Sequence, residues 1–139
     1  MICIALAFAM MFAVPVHASE ATTWSSSYIL AYDSALLKVS GTTFEVRFNI
    51  TGAGIMDEIG VSEIRVQSSW TGTGDWNTMK VFYPEDYPDM VAENIYAHVG
   101  NVLYTGTTGY HYRAIVTFYA KKGNGAGYIT DYAEVIRVP

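Results

Sequence analysis

YHYRAIVTFYA, Tyr110 to Ala120, decides the fold class of this chain. Tyr112, Ala114, Val116 and Phe118 fall on one face of an extended strand, while His111, Arg113, Ile115, Thr117 and Tyr119 fall on the other. Successive side chains of a strand point to opposite sides of a sheet, so this period of two predicts a half-buried strand. The same alternation recurs upstream. In TFEVRFNI, Thr43 to Ile50, Phe44, Val46, Phe48 and Ile50 oppose Glu45, Arg47 and Asn49; in SEIRVQS, Ser62 to Ser68, Ile64 and Val66 point inward. Tyr28–Tyr32, Trp76–Tyr83, Ile95–Thr105 (interrupted near Gly100-Asn101) and Tyr128–Val138 are further β-prone runs. The acidic, proline-bearing stretch Pro84–Asn94 has room for one helical turn near Met90.

About seven or eight strands at roughly 8–12-residue spacing, joined by Gly- and Asp-bearing turns, predict an all-β antiparallel sandwich of the immunoglobulin or fibronectin type III sort. A one-sheet roll or small barrel is the alternative. Gly109-Tyr110-His111-Tyr112 has the form of a tyrosine corner, in which a phenol bonds back to the preceding loop.

Residues 1–16, MICIALAFAMMFAVPV, carry no charge, and Val16-His17-Ala18 offers small residues where a signal peptidase reads. This predicts a secretory signal peptide over 1–18, a flexible segment over 19–27 and a single β-sandwich domain over 28–139. The apolar run falls short of the roughly 20 residues and basic flank of a membrane anchor. Eight Lys/Arg against thirteen Asp/Glu give a net charge of −5, without a basic cluster beyond Lys121-Lys122. Such a charge pattern lacks the electrostatic footprint for nucleic acid or anionic membrane. The one cysteine, Cys3, lies within the signal, so the mature chain has no thiolate chemistry and no disulfide. It must be held by its core, and its aromatic residues can bury large apolar areas. The expectation is a freely secreted monomer without cofactor.

The stretch TGAGIMDEIG, Thr51 to Gly60, invites three readings. A phosphate cradle needs a following helix and tolerates no acidic pair, and neither condition is met. Calcium would need oxygen ligands at alternating positions, which Asp57, Glu58 and Glu63 do not supply. The expectation is a tight connection between two strands, with Met56 and Ile59 tucked beneath it. The segment Lys121–Gly127 reads as a hairpin loop, and His98 and His111 as strand histidines. Asn49-Ile50-Thr51 is a glycosylation sequon. Neither catalytic nor metal-binding residues are assigned. Glu85, Asp86, Asp89 and Glu93 could supply paired carboxylates for glycoside hydrolysis, although a solvated acidic loop is the plainer reading. Exposed aromatics beside acids also suit a sugar- or peptide-binding surface. Trp76, Tyr83, Asp86, Tyr87 and Asp89 are therefore the ligand-binding candidates.

TGAGIMDEIG, the Trp-bearing strand Trp76–Tyr83, Pro88-Asp89-Met90, His98 with Gly100, and YRAIVTFYAKKGNG (Tyr112 to Gly125) together resemble a family of small secreted proteins from Gram-positive bacteria of the Firmicutes type. That family is defined only as a domain of unknown function. The resemblance implies secretion and a β-sandwich and carries over no site residue. The functional expectation is a non-enzymatic binding or interaction module whose partner is an extracellular glycan or protein. The alternatives are a hydrolase using carboxylates of the Glu85–Glu93 loop and a secreted toxin- or inhibitor-type factor.

Overall fold

The computed structural model describes residues 27–139; the expected signal peptide and residues 19–26 lie outside the described residues. Within them are six strands: β1 Ile29–Ser40, β2 Thr43–Ser69, β3 Asn77–Phe82, β4 Val91–Thr105, β5 His111–Lys122 and β6 Gly125–Arg137. A 3-10 turn at Pro88–Met90 leads into β4 and seats Met90 in the core. It is the single helical turn that the acidic stretch was expected to hold. All six strands are antiparallel members of one sheet. The fold is all-β, as the alternation required. Its strand count is six where seven or eight in two sheets were expected, and its sheet is continuous and curled.

Strand β2 explains the difference. Its 27 residues run from Thr43 through TGAGIMDEIG to Ser69 without a turn. The first half lies between β1 and β4, with Val46 opposite both Leu36 and Val102. The second half lies between β5 and β3, with Ile64 opposite both Val116 and Phe82. Between the halves, residues 52–55 face only Tyr96 of β4, because the register steps from Thr51↔Ala97 to Met56↔Ile95. A second register shift, between Val61 and Glu63, offsets β2 against β5. Bulges of this kind bend a strand and raise its twist. Burial follows them: Phe44, Val46, Phe48 and Ile50 are inward, then Ile59 and Val61, then Ile64 and Val66. The shifts are odd, three residues at the first and one at the second, so each moves the inward set to the alternate positions and holds apolar side chains on the concave side despite the bend. The expected connection is thus the bent middle of one strand. Met56 and Ile59 are buried beneath it, as anticipated.

Bending brings the two halves face to face. Tyr32 of β1 meets Phe118 of β5 at 5.3 Å between ring centroids, and Phe44 of β2 meets Tyr112 of β5 at 5.2 Å. At the crossing, a Cβ on Gly60 would fall 2.1 Å from the Met90 carbonyl oxygen, so only glycine permits this approach. Gly100 causes no interruption: β4 is continuous there, and the Phe48 ring occupies the space a side chain would need, 2.5 Å from a Cβ at that position. The tyrosine corner is present. Tyr112, 1% exposed, accepts a hydrogen bond on its phenol oxygen from the Thr107 N–H at 2.7 Å.

Candidate binding face

The convex side of the β2–β5–β6 half carries the side chains that the alternation placed opposite the core. Along β5 these are Arg113, Ile115, Thr117 and Tyr119, all half-buried. At one end, the Tyr119 hydroxyl donates to Glu58 Oε1 at 2.9 Å. The Tyr119 ring lies 5.2 Å from that of Tyr128 on β6, tilted by 35°. Burial, followed by the hydrogen bond to Glu58 and the Glu58 charge, pushes the Tyr119 phenol up to about 12. This phenol is therefore a proton donor throughout the ordinary pH range. Glu58 sits opposite Glu93 of β4 on one side and Lys121 of β5 on the other. Two like charges directly opposite cost about 0.2–1 kcal/mol, which the Tyr119 donor and the Lys121 charge oppose.

These residues line two shallow clefts. One, of about 360 Å³, lies between Glu58, Ser62, Glu93 and Tyr119 and is rimmed by Pro84 and Pro88. The second, of about 440 Å³, is lined by Ser62, Thr117, Tyr128 and Thr130. Ser62 belongs to both, so the clefts form a groove with two tyrosine rings, three aliphatic hydroxyls and two carboxylates. Ser62 reaches this position because the bulge at Val61/Glu63 leaves it without a partner opposite on β5.

The opposite end of the face is closed. The Arg113 guanidinium lies 4.4 Å from the Trp76 ring centroid and 5.3 Å from that of Tyr132. Its Nε donates to Gln67 Oε1 at 2.8 Å. Trp76, the leading sequence candidate, thus has its ring covered by a cation.

The other candidates lie elsewhere. Tyr83 and Tyr87 stand beyond the far end of β3 from Trp76, roughly 20 Å away at ~3.3 Å per residue. Tyr87 packs edge-on against buried Phe82 at 4.9 Å and serves the core. Tyr83 is exposed, and its carbonyl accepts the backbone N–H groups of Asp86 and Tyr87 in a turn. The side chains of Asp86 and Asp89 are on the exposed turn, and the Asp89 carbonyl is held by His98 Nε2 at 2.6 Å. The structure does not bring the five together. Of the acids between Glu85 and Glu93, it is Glu93 that lines the cleft.

Asp57 and the bend have a structural partner: Asp57 Oδ2 accepts the Gly123 N–H at 2.7 Å, and Lys122 Nζ donates to the Ile55 carbonyl at 2.8 Å. Among the described residues, no group of three or more His, Cys, Asp or Glu is placed to hold a metal ion.

No family model, curated protein or solved structure matches this chain.

The sequence assigned no binding role to Ser62, Thr117, Tyr119, Tyr128 or Thr130, and Glu58 entered only as a calcium ligand that its spacing disfavoured. Thr117 and Tyr119 were legible as the outward row of the opening strand. Their meeting with Glu58, 61 residues distant from Tyr119, depended on a pairing that no local pattern encodes.

Proposed function

We propose that this protein is a secreted, non-enzymatic binding module that holds a neutral glycan in the Glu58–Tyr119–Tyr128 groove. One observation carries the reading: the two clefts join at Ser62, with ring faces and hydrogen-bonding groups along one path. Sugars present apolar C–H faces and dense hydroxyls, which tyrosine rings and carboxylate or hydroxyl groups complement. The paired Glu58 and Glu93, on a chain of net charge −5, disfavour an anionic ligand. The uncharged leader and the resemblance to small Gram-positive exported proteins support the location. The tyrosine corner and the face-to-face packing of the sheet halves support kinship with the immunoglobulin-like sandwiches.

A glycan array followed by calorimetry on the selected sugar tests the site. Tyr128→Ala and Glu58→Gln should each weaken binding about tenfold or more, a change of ~1.4 kcal/mol. Trp76→Ala should leave it unchanged, since that ring is already covered by Arg113. Loss of binding in Trp76→Ala with retention in Tyr128→Ala would reject the groove.

A hydrolase is the second reading. It is favoured by Glu58 and Glu93, whose cross-strand pairing sets two carboxylates on one cleft. Release of reducing ends from the bound glycan, abolished in Glu93→Gln, would establish it.

A further inference from the structure

Strand β4 pairs with β2 along one edge, and no strand among the described residues pairs with the other. Its fifteen residues present a long row of backbone donors and acceptors, which proteins ordinarily protect with charge, proline or cover. The remaining edges of this sheet have such protection. Strand β1 carries Asp33 and Lys38, β3 carries Lys80, and β6 carries Asp131, Glu134 and Arg137. The Ser34 hydroxyl also donates to Asp131 Oδ2 at 3.1 Å, so β1 and β6 lie against one another. From Ile95 to Thr105, β4 has no charged residue.

The side chains beside that edge are apolar and open. Val99 is 61% exposed, Leu103 56% and Ile95 41%. Val99 and Leu103 stand on the convex face, opposite Asn49 and Glu45 of β2. The one acid in that row, Glu45, is 8% exposed; Arg47 Nη2 neutralises it and Asn101 Nδ2 donates to its other oxygen, each at 2.6 Å. Its carboxylate is thus occupied within the β2–β4 pair.

We propose that β4 is the interface of a two-fold dimer, in which it pairs antiparallel with β4 of a second copy of this chain about Val99. The sequence of the strand is self-complementary in that register, which centres the contact on Val99, the most exposed of its apolar side chains. Ile95, Val99 and Leu103 recur every fourth residue, so a two-fold at Val99 sets Val99 against itself and Ile95 against Leu103 of the partner copy. Glu93 then faces Thr105 of the partner copy, and like charges are nowhere opposed. Isologous pairing of this kind closes on itself and leaves no β4 edge to recruit a third chain. It joins the convex faces of two copies into one sheet and supplies main-chain hydrogen bonds along roughly nine residues, or ~30 Å. The expected monomer becomes, on this proposal, half of the working unit. The dimer does not depend on the glycan reading, because it rests on the unpaired backbone edge of β4; Glu93, at the end of the paired stretch, is common to both.

Light scattering and disulfide trapping test it, using the chain with Cys3→Ser so that an added cysteine stands alone. Mass should rise with concentration from one copy to two and stop there. Val99→Cys should oxidise to a covalent dimer, since residues directly opposite in an antiparallel pair lie about 4.5–5.5 Å apart at Cα, within disulfide range. Leu103→Cys should not, because its own counterpart would lie about 27 Å away. Val99→Lys, on an exposed position, should keep the circular dichroism spectrum and raise the dimer dissociation constant roughly tenfold or more by opposing two charges. Val99→Thr serves as a control that preserves the strand and should still dimerise. A single-copy mass at every concentration would overturn the proposal and assign the edge to another occupant. A dimer that survives Val99→Lys, or that Leu103→Cys traps and Val99→Cys does not, would overturn it equally.

Discussion

Replacing Tyr112 with phenylalanine removes one oxygen atom and leaves the ring in place. The ring contributes separately: it is 1% exposed and lies 5.2 Å from Phe44 and 5.8 Å from Tyr104. The oxygen accepts the Thr107 N–H at 2.7 Å, which ties the 106–110 loop to β5. A neutral hydrogen bond contributes about 1 kcal/mol net. Spread over the unfolding entropy of roughly 110 ordered residues, that loss lowers the melting midpoint by about 4 °C. Tyr112→Ala deletes the ring as well and leaves a cavity among aromatics, a loss of about 3–5 kcal/mol. Urea denaturation of both variants, read at constant m-value, separates the two contributions. If Tyr112→Phe is as stable as the parent, the corner hydrogen bond contributes nothing. If it matches Tyr112→Ala, the ring packing does not carry the energy assigned to it. Either result would refute the reasoning.

Gly60→Ala sets a Cβ 2.1 Å from the Met90 carbonyl oxygen, and separating β2 from β4 by about 1 Å there should cost about 3 kcal/mol in a denaturation experiment. The Tyr119 phenolate should form near pH 12, beyond the ordinary tyrosine value of 10.0, and Glu58→Gln should bring it down because it removes the nearby negative charge; the near-ultraviolet phenolate band reads both. Since this pKa is raised on folding, its stabilising contribution is fully present below pH 10.0 and disappears as pH climbs through about 12, so the loss of stability across that window should be smaller in Tyr119→Phe, which has no phenol to ionise.

Periodicity made much of the fold legible. The inward rows Phe44-Val46-Phe48-Ile50 and Tyr112-Ala114-Val116-Phe118 are buried as the alternation required. The tyrosine corner and the helical turn at Pro88–Met90 were also readable, because each is set by neighbours within about five residues. The first strand was legible only in part: it extends to Ser40, where the apolar run suggested an end at Tyr32. Beyond Leu36 its residues are exposed, so the alternation that marks a half-buried strand fades.

TGAGIMDEIG marks the boundary between local and tertiary determination. Two glycines and an acidic pair have turn chemistry, and a turn is what local preference supports. In the folded chain, β4 and β5 hold the segment extended, and the surplus residues go into a bulge at 52–55. Hydrogen bonds supplied by distant strands outweigh local preference, since propensity is worth only a fraction of a ladder. The site follows the same rule. The sequence by itself determined which side chains each strand turns away from the core, because a pleat has a fixed period of two. Only the tertiary structure decided that Glu58, Glu93, Tyr119 and Tyr128 meet in one groove and that Trp76 is covered by Arg113, because register and curvature are set by pairing between residues far apart in the chain.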